Sequence, residues 1–391
     1  MKKLIPFTPN TGGAVSAENT IGRDSEIKDF WEILRTQSIA LFAERRFGKS
    51  SILRKMETEG KDNFVVIYKP VEGFSTIDGF VSAIIDRVKE KGLIDESITK
   101  KMENAYNQAS SIIEEVGSVK FKKIQYTWQN QLQYLFEKLI AKNEDKVIVL
   151  MLDEFSIFID KLGIKEAADV IGFLRDVIFN EQFSAIRFVY CGSIGIDLVL
   201  DKIKKDINIG DPINHMRKYE LQPFTEDNAL YFCRCLNLGC KLSIEDDLLV
   251  DIYQRTNRIP FFIDIVFNKL RNHNVCGTNE IDAAFEEIID DTKGKNSIKH
   301  FCDRIDDYYP NPEISNYILN FISNSHHISL ENEICNSVLL SKERVNRLEI
   351  IKEIERLRND GYLIRVIDDN QRFYNFKFSL LKLWWQRNKA F

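Results

Sequence analysis

The segment Ala43-Glu44-Arg45-Arg46-Phe47-Gly48-Lys49-Ser50-Ser51 has the residue types and spacing of a phosphate-cradling loop, with Ala in place of the first glycine. Glycine at 48 allows a tight turn in which successive backbone N–H groups converge on an anion. A helix starting there adds the partial positive charge of its N-terminus. Lys49 would reach the β- and γ-phosphates, and the Ser50 hydroxyl would ligate Mg²⁺. Further along, the apolar run Val147 to Leu152 delivers two carboxylates at its end, Asp153 and Glu154. Asp153 is suited to hold Mg²⁺ through water and Glu154 to polarise an attacking water as general base. Together these are the parts of a magnesium-assisted hydrolysis of a nucleoside triphosphate. Two further groups are open to two readings each. Ser193 follows the apolar run Ile186–Tyr190 and either senses the γ-phosphate or forms a simple strand-end turn; Arg217 either stabilises transition-state charge or is a surface arginine.

Positioning these groups requires strands that end where the loops begin. The short apolar runs 38–42, 64–68, 147–152 and 186–190 read as buried strands. They alternate with helical patterns near 24–35, from 51 onward, and over 76–90, 127–142 and 165–179. That order predicts an α/β fold with a parallel sheet covered by helices on both faces. Residues 1–20 read as a polar leader, 21–224 as the core with an insertion at about 92–123, and 225–295 as an all-α lid bundle. Residues 296–391 read as a linker helix and a winged helix-turn-helix domain. Its helices are expected over 313–323, 329–336 and 342–359, and its hairpin strands over 362–366 and 372–378. Leu380 to Trp385, aromatic at the end of the wing, reads either as core packing or as a partner-docking patch.

With 391 residues, 44% hydrophobic and 29% charged, the chain has ordinary globular composition, which excludes a wholly disordered protein. No apolar run approaches the ~18–20 residues of a membrane span. Lys2-Lys3 is followed by no apolar stretch of signal-peptide length, so a cytoplasmic location without membrane contact is expected. Cys233, Cys235 and Cys240 fall in a helical pattern where positions two apart diverge, and buried core cysteines are favoured over a zinc site.

Ile21-Gly22-Arg23-Asp24, the paired arginines before Phe47-Gly48-Lys49-Ser50-Ser51, and Leu152-Asp153-Glu154 together resemble the STAND/AAA+-related "archaeal ATPase" group, which also occurs in bacteria. The resemblance extends over nearly the whole chain, through Tyr219-Glu220-Leu221, Asn257-Arg258-Ile259-Pro260 and His300 to Tyr309. It implies ATP and Mg²⁺ as ligands, Ile21, Gly22 and Arg23 at the adenine pocket through backbone contacts, and Pro260 near the base. It also matches Arg217 to a family arginine. Arg258 departs from the pattern, because the family usually has Gly there; a second phosphate sensor and a helix cap are equally good readings.

From Pro312 to the C-terminus there are 12 Lys/Arg and 10 Asp/Glu, a small excess for a domain committed to DNA. Acidic and basic residues alternate along 342–358, which suits a solvated, salt-bridged face. The favoured reading is an ATPase, slow or partner-stimulated, acting as a switch in a signalling, assembly or defence complex with a protein partner or further copies of itself. A DNA-binding ATPase similar to a replication initiator or transposition helper is the alternative, and a non-catalytic ATP-bound scaffold the third.

Overall fold

A computed structural model describes residues 3–10, 15–43, 47–98, 100, 127–192, 196–273, 276–292, 298–342 and 345–389. The expected insertion therefore falls largely outside the described residues. Helix α1 (Asp24–Leu34) buries Ile27, Phe30, Trp31 and Leu34, the stripe its spacing predicts. It leads to β1 (Ile39–Phe42), α2 (Lys49–Glu59), β2 (Phe64–Pro70), α3 (Ile77–Glu90), α4 (Trp128–Lys142) and β3 (Val147–Asp153). Next come α5 (Phe155–Lys161), α6 (Ile164–Phe179), β4 (Ile186–Cys191), α7 (Ile196–Asp206) and β5 (Arg217–Glu220).

The strands form one parallel sheet in the order β2-β3-β4-β1-β5. Chain order reverses around β1, and in open α/β sheets ligands bind at the carboxyl ends of strands beside such a point. Register fixes what meets there. Leu152 pairs with Tyr190, so Asp153 comes level with Cys191, which in turn pairs with Leu41. The strand-end carboxylate thus emerges at the same edge as the loop after β1, about 10 Å across two strand spacings.

Four helices follow, α8 (Glu226–Gly239), α9 (Asp246–Arg255), α10 (Pro260–Leu270) and α11 (Thr278–Asp290), within the range 225–295 that reads as an all-α bundle. Thr225 begins the first by accepting a hydrogen bond from the Asn228 N–H. Buried Cys233 and Cys235 pack in its core face, where burial raises the Cys233 thiol pKa.

The C-terminal part runs α12 (Lys299–Tyr308), α13 (Pro312–Asn324), β6 (Ser329–Leu330), α14 (Glu331–Ser341), α15 (Arg347–Asn359), β7 (Leu363–Asp368), β8 (Gln371–Phe376) and α16 (Ser379–Asn388). A three-stranded sheet in the order β6-β8-β7 accompanies these helices. Two expectations are corrected. The segment expected as helix from 329 begins as a strand pairing Ser329 with Tyr374. The last long helix starts at Arg347, because the Asn346 side chain caps the Glu349 N–H and Glu349 reaches back to the Asn346 N–H. Trp384 and Trp385 are fully buried on α16, their indole N–H groups donating to the Asp291 carbonyl and Asn320 Oδ1. Among the described residues no helix is long and apolar enough to cross a membrane.

Candidate functional site

The loop after β1 passes through Ala43; Glu44, Arg45 and Arg46 of the expected motif lie outside the described residues. Phe47 is fully buried and Gly48 turns at φ +89°, a left-handed conformation that glycine adopts at no steric cost. Among the described residues no atom lies within 4 Å of where a Cβ on Gly48 would stand. Lys49 is buried and its Nζ donates to the Ala43 carbonyl at 2.8 Å, folding the side chain back along the loop. Ser50 and Ser51 sit in the first turn of α2, where backbone N–H groups have no intrahelical acceptor.

Asp153 is buried, accepting from the Tyr68 hydroxyl at 2.7 Å and from the Glu154 N–H at 3.2 Å. Burial and the neighbouring Asp153 push the Tyr68 pKa up, which keeps its hydroxyl protonated and donating. Glu154 stands at φ +57°, a left-handed position that costs a non-glycine residue about 1 kcal/mol. That kink turns the chain from β3 into α5 and leaves Glu154 on the wall of a cavity of about 410 Å³.

The same cavity is lined by Phe47 to Ser51, Ile21, Arg23 and Pro260. The phosphate-loop residues, the general-base candidate and the residues assigned to the base are therefore brought together. The N-terminal segment is a wall of this cavity rather than only a leader, since Phe7, Asn10 and Val15 also line it. The Phe7 N–H donates to the Cys235 carbonyl at 3.0 Å and its ring packs on Phe232. A Cβ on Gly239 would stand 2.0 Å from the Phe7 carbonyl oxygen, so only glycine lets the segment lie this close.

Gly22 has φ +70° and accepts from Asn228 Nδ2 at 3.3 Å; a Cβ there would crowd Asn228 and Phe224 at 3.1 Å. Arg23 was expected for its backbone, but its side chain is 2% exposed and donates to the Phe47 carbonyl at 3.0 Å. Arg217 is not brought to the cavity. It starts β5 beside Ile39, at the edge of the sheet opposite the loop and about 13 Å back along β1. Nor is Arg258: its φ of +58° closes α9 and its guanidinium pairs with Glu226 at 3.5 Å on the surface. That left-handed backbone explains why glycine suits the position. Ser193 lies outside the described residues.

Asp264, which sequence reasoning missed, sits one helical turn beyond Pro260 and lines the cavity with its carboxylate 6% exposed. Burial pushes its pKa up to about 7, against a hydrogen bond from the Asn10 backbone that pulls it down. The ordinary value is 3.8, so between 3.8 and about 7 the folded chain holds a proton the unfolded chain has lost. Stability from this group is therefore complete below the lower value and lost as pH rises to the upper one, by up to about 1.4 kcal/mol per pH unit. Asp264→Asn keeps the shape and cannot ionise. Its stability relative to wild type, measured by urea unfolding without nucleotide, should rise between about pH 4 and pH 7 and level off above that; a constant difference across that range would contradict this.

No family model matches the chain, and no curated protein matches it. Among solved structures, the Walker-type ATPase of Pyrococcus abyssi is similar over 96% of this chain and 98% of its own, at 12% identity and a TM-score of 0.66. The ORC2 protein of Aeropyrum pernix, solved as ADPNP-ADP complexes, is similar over 98% of this chain and 95% of its own, at 11% identity and a TM-score of 0.51. The chain has the P-loop ATPase fold. At such identities the likeness is one of fold, and the roles of individual residues rest on the geometry above.

Proposed function

We propose that the chain is a Mg-ATP-dependent ATPase that works as a nucleotide-controlled switch, with its C-terminal module as the moving part. The observation that carries this reading is the contact of that module with the phosphate loop. Phe378, just after β8, packs its ring 5.7 Å from that of Phe47, next to Gly48. Beside it, the Ser379 N–H and hydroxyl both donate to Asn257 Oδ1 of the lid, and Lys377 pairs with Glu220 of the core at 3.0 Å. Core, lid and C-terminal module thus converge within a few residues of the loop that would hold the phosphates.

In this reading Lys49 and the N–H groups of the first turn of α2 hold the triphosphate, and Ser50 and Asp153 would hold Mg²⁺. The metal would neutralise developing charge on the phosphates. Glu154 accepts a proton from the attacking water. A ligand shifts a conformational equilibrium only by its differential contacts with the two states, and loss of the γ-phosphate acts on the loop that Phe47 belongs to. A larger space of about 890 Å³ between the sheet edge and the C-terminal module, lined by Lys218, Arg304 and Arg365 among others, leaves room for the module to move.

Protein contact is the better-supported output. Leu340 is 90% exposed, Leu348 62% and Ile367 64%, large apolar side chains left to solvent on α14, α15 and β7. On α15, Arg358 is paired with Glu355 at 2.8 Å, and Glu353, expected on a solvated face, is buried against Ser315 and Arg356. Among the described cations of α15, Arg356 and Arg358 are held by Glu353 and Glu355, which supports a signalling or assembly role over the DNA-binding alternative.

The test is ATP turnover of the full chain with and without duplex DNA, together with Phe378→Ala. Phe378→Ala is expected to leave ATP affinity within a few-fold. It should also abolish any nucleotide-dependent change in protease sensitivity of the 309–312 connection. A sensitivity that still follows nucleotide in the variant would refute the coupling route. Salt-sensitive stimulation by DNA would favour the alternative.

A further inference from the structure

The cavity that holds the phosphate loop carries one polar group whose chemistry is incomplete. Among the described residues Asp264 Oδ1 has no hydrogen-bond partner, and its residue is more than nine-tenths buried. An unsatisfied carboxylate oxygen in such a place is costly, and native structures pair such groups with protein, water or ligand. The Asn10 backbone N–H satisfies part of the carboxylate, leaving Oδ1 as an acceptor in a wall of the cavity.

That wall is built by the lid and the N-terminal segment. Phe7, Phe232 and Phe261 belong to it and give it apolar surface suited to a flat aromatic ligand, whereas Gly48, Lys49 and Ser50 form the part suited to phosphates. We propose that Asp264 reads the base of the nucleotide: Oδ1 accepts a hydrogen bond from the 6-amino group of adenine. This rests on the nucleotide-binding reading above and adds to it a specificity-determining side chain.

The chemistry selects adenine over guanine. With one oxygen already engaged, the carboxylate offers a single acceptor, which matches one exocyclic N–H. Guanine in the same pose turns its 6-oxo group, an acceptor, onto that acceptor, and hypoxanthine does the same. Two unpaired acceptors then face each other in a buried place, a mismatch that sites built around a hydrogen bond reject strongly. The closing van der Waals contacts of the three phenylalanines are shared by all purines and do not discriminate.

The experiment compares three ligands on the wild-type chain by calorimetry near pH 8, where the carboxylate is ionised: ATP, purine riboside triphosphate, which has hydrogen in place of the 6-amino group, and 2′-deoxy-ATP. The expected result is about a tenfold or greater loss of affinity for purine riboside triphosphate and little loss for 2′-deoxy-ATP. Asp264→Ala is then expected to bind ATP and purine riboside triphosphate equally. Equal wild-type affinity for those two would overturn the proposal without recourse to any variant. So would loss confined to 2′-deoxy-ATP, which would assign Oδ1 to the ribose, or an unchanged ratio in Asp264→Ala. Failure of the wild type to bind any of the three is a different outcome: it removes the nucleotide site itself, and the base assignment with it.

Discussion

Glu154→Gln is expected to lower ATP turnover by about a hundredfold or more while leaving ATP affinity within a few-fold; Lys49→Ala is expected to lose both. General-base catalysis by a positioned carboxylate contributes roughly 10²–10⁴ in rate. Gln keeps the size and hydrogen-bonding capacity of Glu154 but cannot take a proton, so binding contacts survive and the chemical step does not. Lys49 acts earlier, on the charge of the triphosphate. Its Nζ already lies 2.8 Å from the Ala43 carbonyl, in the loop, so a bound phosphate needs only to displace or share that contact. Removing it leaves several negative charges facing backbone N–H groups alone, weakening ground state and transition state together. The measurement is steady-state phosphate release beside equilibrium ATP binding for wild type and both variants. Turnover unchanged in Glu154→Gln would sink its assignment as general base, and tight ATP binding without turnover in wild type would support the scaffold that retains ATP. Turnover lost in both variants, with affinity lost only in Lys49→Ala, is the pattern that the arrangement requires.

Much of this was legible in the sequence because it depends on local pattern. The apolar runs around Leu41, Ile67, Leu150 and Val189 could only be buried strands, and helices between them forced parallel pairing. Gly48-Lys49-Ser50 and Asp153-Glu154 were visible because each sits where such a strand ends. What escaped was what depends on register and on long-range packing. Arg217 was open to two readings, a transition-state contact or a surface arginine, and its pairing with Ile39 at the far end of β1, with the side chain exposed, fits the second. Its position along the chain carries no sign of that. Phe7 lies in a stretch rich in Gly, Ser, Thr and Asn, which suggested a leader; only the close approach to Gly239 shows that it packs. Asp264 sits in the helical run Pro260-Phe261-Phe262-Ile263-Asp264-Ile265-Val266, where a lone carboxylate among apolar residues was the available signal and went unread. The helix α7 was missed because its charged face, ending in Lys204-Lys205-Asp206, outweighs a narrow apolar stripe.

Arg23→Ala is expected to destabilise the protein by about 3–5 kcal/mol, the range for breaking a buried, hydrogen-bonded charge from one side. The guanidinium is 2% exposed and has a fork of donors. Nη1 reaches Glu26 Oε1 at 2.6 Å and the Gln222 carbonyl at 2.8 Å, while Nη2 reaches the Phe47 carbonyl at 3.0 Å. Its plane also stands 4.7 Å from the centroid of the Phe224 ring. Burial pushes the pKa of this group down, and the hydrogen-bonded Glu26 carboxylate opposes that shift. Alanine removes every donor at once, leaves two carbonyls unsatisfied and opens a cavity between α1, the end of the sheet and the phosphate loop. Arg23→Lys restores a charge but not the planar fork, and one ammonium cannot meet three acceptors on separate segments. It should recover only part of the loss. Because the Phe47 carbonyl is one of the three, the damage is not confined to stability. The loop before Gly48 loses its tether, and ATP affinity should fall in the alanine variant even under conditions where it remains folded. Urea unfolding gives the first quantity and calorimetry in the folded baseline gives the second. A loss of less than about 1 kcal/mol, the range of an exposed ion pair, would mean that Arg23 does not tie the loop to the core. A large loss of stability with full ATP affinity would mean that it does so without positioning the loop.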